Sequence, residues 1–214
     1  INPNTAIFVD AVQAYGKIKI LPGQLGIDMM SMSSHKIHGP KGAGALYVKK
    51  QTKIKPIIFG GGQESLIRSG TENVPGICGF GLAAKMITEK IEQNREHVEK
   101  LKKLFIDRLM DIKDDFRIIS PDNGLPYILN ISFANVKAEV LVHHLEEKGI
   151  YASTGSACSS RKRIQSHVLE AMSIEQCDME GSVRFSFSSL NTEEEVEYAV
   201  EAIKSILPRI QIKR

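Results

Sequence analysis

Apolar residues in the first third of the chain come in short, nearly continuous runs separated by glycine and proline. The runs at residues 6–11 (AIFVDA), 28–33 (DMMSMS) and 43–50 (AGALYVKK) predict three strands, because β-prone residues are bounded there by turn signals. Their apolar character is continuous rather than alternating. This predicts strands covered on both faces, as in an α/β domain.

The pattern changes to a helical period over residues 75–114. Apolar side chains recur there at helix-compatible spacing, namely at Ile91, Val98, Leu101, Leu104, Phe105 and Leu109. One or two helices in this stretch are expected to connect two domains.

From about residue 116 strand and helix patterns alternate again. Residues 127–133 (YILNISF) predict a strand, and residues 137–149 predict a helix that ends at Gly149. The further expected elements are a strand at 150–153, a helix at 163–172 and a strand at 182–188.

The last helix carries a clear start signal, because Thr192 is followed three residues later by Glu195 in a capping box. Pro208 marks its expected end. Its expected buried stripe consists of Val196, Ala199, Val200, Ile203 and Leu207. The second half of the chain therefore predicts a smaller α/β domain.

Composition places the chain among globular proteins, with 214 residues, 42% hydrophobic and 25% charged. The net charge is only +3 and the basic clusters are short, which argues against a nucleic-acid partner. Three cysteines without a C-x-x-C pair argue against a disulfide framework and a structural zinc site. We see no signal peptide and no apolar run near the ~20 residues of a membrane span. The default expectation is a cytoplasmic protein without a membrane partner.

Candidate chemistry is concentrated in residues 33–44, SSHKIHGPKGAG. An amine attacks carbonyl groups when burial or neighbouring cations leave it partly unprotonated. Lys36 follows an apolar strand and stands beside His35, so we expect a buried amine there. Pro40 and the glycines at 39, 42 and 44 would fix the turn and admit a bulky group. The hydroxyls of Ser31, Ser33 and Ser34 could bind an anion such as phosphate.

An acidic partner is available at Asp10, which ends the first strand, with Gln13 three residues later. Carboxyl ends of parallel strands are where α/β folds place ligands. A reactive lysine, a phosphate anchor and an acid for the pyridine nitrogen are what pyridoxal phosphate requires. Taken singly, Asp10 also fits a loop cap, Lys36 a solvated lysine and His35 a packed imidazole.

The stretches FVDAVQAYGKI, DMMSMSSHKIHGPKGAGALYV and GGGQESLIRSGTENVPG together resemble the cysteine desulfurases of the NifS/IscS type. These are fold-type I pyridoxal-phosphate enzymes of the class-V aminotransferase family. The resemblance continues through YASTGSACSS and SVRFSFSSLNTEEEVEYAV and covers essentially the whole chain. It implies an α/β fold: residues 1–84 as the C-terminal part of the cofactor-binding large domain, 85–115 as connecting helices and 116–214 as the small domain.

The resemblance also implies residue roles. Lys36 would form the Schiff base with pyridoxal 5'-phosphate, and Asp10 would pair with its pyridinium nitrogen. Gln13 would contact the phenolic oxygen, while Ser33 and His35 would bind the phosphate or orient groups near it. Thr71 would reach a phosphate across a homodimer interface, and Arg184 would hold the substrate carboxylate.

The three cysteines have different settings. Cys158 lies among small polar residues followed by Arg161, Lys162 and Arg163, where positive charge favours thiolate. Cys78 lies in an apolar helical start and is expected to be a packed core thiol, and Cys177 is expected to be incidental. The resemblance implies that Cys158 accepts sulfur from L-cysteine as a persulfide, leaving L-alanine. A scaffold-type acceptor would then take the sulfur for iron-sulfur cluster or thio-cofactor assembly.

Members of this family are nearly twice as long. The resemblance places the phosphate loop, the histidine that stacks on the cofactor ring and an asparagine near the substrate in the N-terminal half, and none of the three can be assigned here. No histidine precedes His35, so the stacking role has no candidate. We therefore expect the C-terminal half of a desulfurase, with little or no activity alone.

Other readings remain open. One alternative is a different fold-type I enzyme, such as an aminotransferase or a selenocysteine lyase; replacing Cys158 by alanine should abolish sulfur transfer from cysteine but spare an aminotransferase. A non-catalytic module could hold phosphate or nucleic acid through HKIHGPKG and RKR, with a steep salt dependence. A cysteine-histidine hydrolase would need His143 or His144 within hydrogen-bond reach of Cys158.

Overall fold

The computed structural model describes residue 2, residues 5–154 and residues 166–212. It divides into two compact units, Ile1–Gln93 and Asn94–Arg214. Among the described residues, no helix has both the length and the apolar character needed to cross a membrane.

The first unit contains a three-stranded sheet in the order β1-β2-β3. Strand β1 (Phe8–Asp10) pairs in parallel with β2 (Met29–Ser33), which pairs antiparallel with β3 (Gly44–Val48). The three predicted strands are thereby confirmed. The parallel pair brings the carboxyl ends of β1 and β2, at Asp10 and Ser33, to one edge of the sheet.

The core of the first unit is small. Ala11, Ile27 and Met30 are buried and are packed by partly buried apolar neighbours. The first three residues of β3 are exposed, and so are both ends of β1. The prediction that these strands are covered on both faces is therefore wrong for this chain. A continuous apolar run indicates a strand that can be buried, but it does not show that other elements are present to cover it.

Helix α1 (Val74–Thr88) follows the sheet, and helix α2 (Ile91–Leu109) follows α1. The side chain of Asn73 accepts a 3.1 Å hydrogen bond from the Gly76 amide and caps the start of α1, where Pro75 fits the first turn. Helix α2 buries Val98, Leu101, Phe105 and Leu109. The predicted helical stretch is thus confirmed as two helices, continued by a 3-10 segment at Met110–Asp115.

The second unit is built on an antiparallel sheet in the order β4-β5-β6. Its strands are β4 (Phe116–Ile118), β5 (Ile128–Phe133) and β6 (Ser182–Ser186). The helices of this unit are α3 (Ala138–Glu146), α4 (His167–Ala171), α5 (Gln176–Glu180) and α6 (Glu193–Ile210). One large core joins α2, α3 and α6 to this sheet, with the rings of Phe105 and Phe185 4.8 Å apart.

Most predictions for the second unit are confirmed, and three details differ. The predicted strand at 150–153 is absent, because Ser153 makes only an isolated bridge to Arg184. Within the described residues, the predicted helix at 163–172 is reduced to α4. Helix α6 has the predicted capping box at Thr192 and Glu195, but it continues past Pro208 to Ile210.

Candidate functional site

The carboxylate of Asp10 lies where the parallel strands β1 and β2 run side by side. Asp10 is paired in register with Ser31, and its Oδ1 accepts a 3.1 Å hydrogen bond from the Ser31 hydroxyl. The same oxygen accepts a 3.0 Å bond from the Val12 amide. These two hydrogen bonds fix the position of the carboxylate at the carboxyl edge of the sheet.

The chain leaves β2 through a 3-10 turn at Ser34–Lys36. The Ser34 carbonyl accepts bonds of 3.0 Å from the amides of both Ile37 and Gly39, and the Ser34 amide donates to Ala43. Just before this turn, the Ser33 hydroxyl lies 2.9 Å from Nδ1 of His35. This contact uses Nδ1 and leaves Nε2 for another partner. His35 is exposed.

Lys36 ends this turn and is exposed, so the expectation of a buried amine is wrong for this chain. The reason is the direction of the turn. The residues on either side, Ser34 at 0% and Ile37 at 3% exposure, hold the backbone inside the unit. The Lys36 side chain therefore extends from an anchored backbone at the edge where Asp10 and Ser33 lie.

Two glycines of this segment have conformational or steric reasons for being glycine. Gly42 adopts φ +79°, which L side chains rarely adopt. A Cβ on Gly39 would overlap the Ser34 hydroxyl and would lie 3.2 Å from the Ala83 Cβ. The prediction that glycine shapes the turn after Lys36 is confirmed at these two positions.

Gln13 lies in the turn that follows β1 and is exposed. Its Oε1 accepts a 3.2 Å hydrogen bond from Nζ of Lys17, one helical turn further along. Burial lowers the pKa of Lys17, and the charge of Lys36 lowers it further. Lys17 was missed by sequence reasoning, although its four-residue spacing from Gln13 was a usable signal.

Thr71 lies in a separate loop that precedes α1, and it is exposed. The loop is held by its own polar groups: Gln63 Oε1 accepts a 3.0 Å bond from the Gly70 amide, and the Ser69 amide donates to the Ile58 carbonyl. Because these hydrogen bonds hold the loop in place, the exposed Thr71 can contact a group outside this unit.

Arg184 belongs to the second unit, on β6. Its backbone exchanges hydrogen bonds of 2.7 Å and 3.1 Å with Ser153. Its Nε is buried and has no hydrogen-bond partner among the described residues. An unpaired buried guanidinium N–H is costly, and a carboxylate would satisfy it.

Two of the three cysteines can be placed, and both Cys78 and Cys177 are exposed. The expectation that Cys78 is a packed core thiol is wrong, because α1 buries Gly76 and Phe80 instead. Cys158, together with the cations at 161–163, lies outside the described residues.

The donor set at the edge of the first sheet fits pyridoxal phosphate by its chemistry. That cofactor needs an amine, an acid and phosphate donors, which correspond to Lys36, Asp10 and the pair formed by Ser33 and His35. Strand register supports the grouping, since Ser33 lies two residues beyond the partner of Asp10 in β2. Gln13 follows Asp10 and joins the set.

Comparison with known proteins gives a consistent picture. Residues 2–199 match the family model described as aminotransferase class-V. The chain is 37% identical to cysteine desulfurase IscS 1 of Archaeoglobus fulgidus, over 99% of this chain and 55% of that protein. It is 43% identical to a cysteine desulfurase of Bradyrhizobium diazoefficiens, over 94% of this chain and 50% of that protein.

Solved structures agree with this comparison. A NifS-like protein superposes with a TM-score of 0.88 at 40% identity, over 98% of this chain and 54% of that chain. This chain therefore spans about half the length of the relatives it matches.

Proposed function

Because this chain belongs to the aminotransferase class-V family, we propose that it carries the reactive lysine and the sulfur-accepting cysteine of a pyridoxal-phosphate-dependent cysteine desulfurase. The observation that carries the proposal is the exposed Lys36 in the turn that leaves β2, at the sheet edge where Ser31 holds the Asp10 carboxylate and Ser33 holds His35. In this proposal residues 1–84 belong to the cofactor-binding domain, 85–115 connect, and 116–214 form the small domain.

When bound, pyridoxal phosphate withdraws electrons from the substrate carbon and weakens the carbon–sulfur bond. Lys36 holds the cofactor through its amine. Asp10, fixed by Ser31 and the Val12 amide, presents a carboxylate to the pyridine nitrogen. Ser33 and His35 supply donors for the phosphate, and Thr71 supplies one to the partner protomer of a homodimer.

The substrate in this proposal is L-cysteine. Arg184 binds its carboxylate through the guanidinium, and the unpaired Nε supports this role. The Cys158 thiolate would attack the substrate sulfur, so that an S–S bond forms while the carbon–sulfur bond breaks. The electron pair of the broken bond stays with the carbon, which takes up a proton and leaves as L-alanine, and Cys158 keeps the sulfur as a persulfide. An acceptor or scaffold protein then removes the sulfur, in a cytoplasmic setting with no membrane or nucleic-acid partner.

The test uses the purified protein with pyridoxal phosphate and L-cysteine. Loading should give a visible absorbance band that is lost in Lys36→Ala and kept in Lys41→Ala, a matched control from the same glycine-rich segment. Mass spectrometry should then detect one added sulfur atom on Cys158. This addition should be absent in Cys158→Ser and present in Cys177→Ser and Cys78→Ser.

Other outcomes would replace the proposal. Cofactor binding with amino-group transfer that survives Cys158→Ser would identify an aminotransferase. Release of selenium but not sulfur from the corresponding amino acids would identify a selenocysteine lyase. No absorbance band, together with phosphate or nucleic-acid binding that falls steeply with salt, would indicate a binding module.

A further inference from the structure

The turn after β1 brings two polar side chains together. Backbone bonds from Ala14 to Ala11 (3.0 Å), Tyr15 to Ala11 (2.8 Å) and Lys17 to Ala14 (3.0 Å) wind residues 11–17 into consecutive turns. Side chains four residues apart then lie on the same side of such turns. This explains why Lys17 Nζ reaches Gln13 Oε1 at 3.2 Å.

The same turn is packed against the segment that carries the reactive lysine. A Cβ placed on Gly16 would lie 2.7 Å from Cγ2 of Ile37, and Ile37 is only 3% exposed. Gly16 precedes Lys17 in the chain, and Ile37 follows Lys36. The close backbone approach therefore sets Lys17 beside the turn that bears Lys36. The lowered pKa of Lys17, caused first by burial and then by the charge of Lys36, agrees with this placement.

The chemistry of the Lys17–Gln13 bond fixes the orientation of the amide. An ammonium group can only donate hydrogen bonds, so the atom that faces it must be the amide oxygen. The Gln13 NH2 group is then turned away from Lys17, with its donors available to another acceptor. If the amide were reversed, two donors would face each other.

We propose that Lys17 is a positioning residue that holds the Gln13 amide so that its NH2 group donates to the phenolic oxygen of the cofactor. This inference rests on the proposed function for the identity of the acceptor. A reversed amide would present an oxygen to that oxygen and would repel it.

The first test needs no cofactor. The side-chain amide signals of Gln13 are assigned by 15N–1H NMR through their loss in Gln13→Ala, and are then compared among variants. We expect Lys17→Met to shift these signals, Lys17→Arg to restore them and Lys19→Met to leave them unchanged. Lys19 is a matched control because it lies two residues on and is exposed. Unchanged Gln13 signals in a folded Lys17→Met protein would overturn the proposal.

Gln13→Glu keeps the test decisive should Lys17→Met fail to fold. The introduced carboxyl retains an acceptor for Lys17, so its pKa, followed by 13C NMR, should be below that of an ordinary glutamate. The same carboxyl cannot donate to the phenolic oxygen. A carboxyl at position 13 that titrates as in a free peptide would overturn the proposal.

The second test uses the cofactor. Pyridoxal phosphate should bind about five- to tenfold more weakly to Lys17→Met than to the wild type, which is the effect of losing about one oriented hydrogen bond. Lys17→Arg should recover most of this affinity. An unchanged dissociation constant in Lys17→Met would overturn the positioning role. A wild-type protein that binds no cofactor would instead overturn the proposed function, and the NMR comparison would still decide how Gln13 is held.

Discussion

The Ser33 hydroxyl lies 2.9 Å from Nδ1 of His35, across the start of the turn that carries Lys36. The bond ties the imidazole to the end of β2 through Nδ1, so Nε2 is the ring nitrogen left for another partner. Although His35 is exposed, its orientation is set by a residue two positions away. Ser33 therefore orients the imidazole of His35, the residue that directly precedes Lys36.

Replacement of Ser33 by alanine should therefore weaken binding of pyridoxal phosphate about fivefold, because one net hydrogen bond contributes about 1 kcal/mol. The affinity is measured by titrating the visible absorbance. Ser33→Thr keeps the hydroxyl and serves as the control. Equal affinities of the alanine variant and the wild type would show that the Ser33–His35 bond does not organise the site.

Ser34 and Gly39 form a second coupled pair in the same segment. Ser34 is fully buried, and its hydroxyl has no hydrogen-bond partner among the described residues. A Cβ on Gly39 would overlap that hydroxyl. Gly39→Ala should lower the free energy of unfolding by about 1–3 kcal/mol, as overpacking does.

Ser34→Ala should be neutral or stabilising, because it removes a buried hydroxyl without a partner. In the Ser34→Ala background the cost of Gly39→Ala should fall, since the overlapping oxygen is gone. Denaturant unfolding of the wild type, both single variants and the double variant measures this coupling. Strict additivity of the two changes would contradict it.

The confirmed parts of the fold are those with strong local signals. The three strands of the first unit were predicted because apolar runs are bounded by glycine and proline, and α6 was predicted because Thr192 and Glu195 form a capping box. The candidate site was found for the same reason. Asp10 and Ser33 both end strands, and parallel pairing places such ends at one edge.

The wrong predictions for Lys36 and Cys78 concern the burial of a side chain, while the element that carries each residue was predicted correctly. Apolar residues before Lys36 indicated burial, but the direction of the turn exposes the side chain. Cys78 lies in α1, where apolar residues occur on most sides of the helix. The spacing of these residues therefore does not indicate which side is buried, and the structure buries Phe80 rather than Cys78. Residues 150–153 have the apolar composition of a strand, but they form none, because Ser153 makes only an isolated bridge to Arg184.

The start of α6 allows a quantitative test of stability in the second unit. Thr192 Oγ1 accepts a 3.3 Å hydrogen bond from the Glu195 amide, and Glu195 Oε2 accepts 3.1 Å from the Thr192 amide. Thr192→Ala removes the first bond and should lower the free energy of unfolding by about 1 kcal/mol. Thr192→Ser keeps the cap and is the control. A loss that appears equally in Thr192→Ser would point to packing rather than capping.

Glu195 makes the same cap dependent on pH. Hydrogen bonds from the Asn191 side chain and then from the Thr192 amide lower the pKa of Glu195. A lowered folded-state pKa stabilises the protein above the unfolded pKa, and this stabilisation is lost as the pH falls through the folded value. Glu195→Gln should therefore be less stable than the wild type at neutral pH and converge with it well below about pH 4. A constant difference across a thermal-unfolding series at several pH values would exclude this origin.

Arg184 tests the proposed recognition of the substrate. Its backbone bonds to Ser153 do not depend on the side chain, so substitution should leave β6 in place. Arg184→Lys keeps the charge but loses the planar pair of donors and the buried Nε, which has no partner among the described residues. We expect the dissociation constant of L-cysteine to rise about ten- to hundredfold, the equivalent of one charge-assisted hydrogen bond.

The matched control for Arg184 is Arg117→Met. Arg117 lies on β4 of the same sheet, and its Nη1 lies 2.7 Å from Asp178 Oδ2 in an ion pair at the protein surface. This control should leave the dissociation constant unchanged. Titration of the cofactor-loaded protein with L-cysteine, followed by the change in visible absorbance, separates the two arginines. If Arg184→Lys and Arg117→Met bound L-cysteine as tightly as the wild type, the substrate carboxylate would be bound elsewhere.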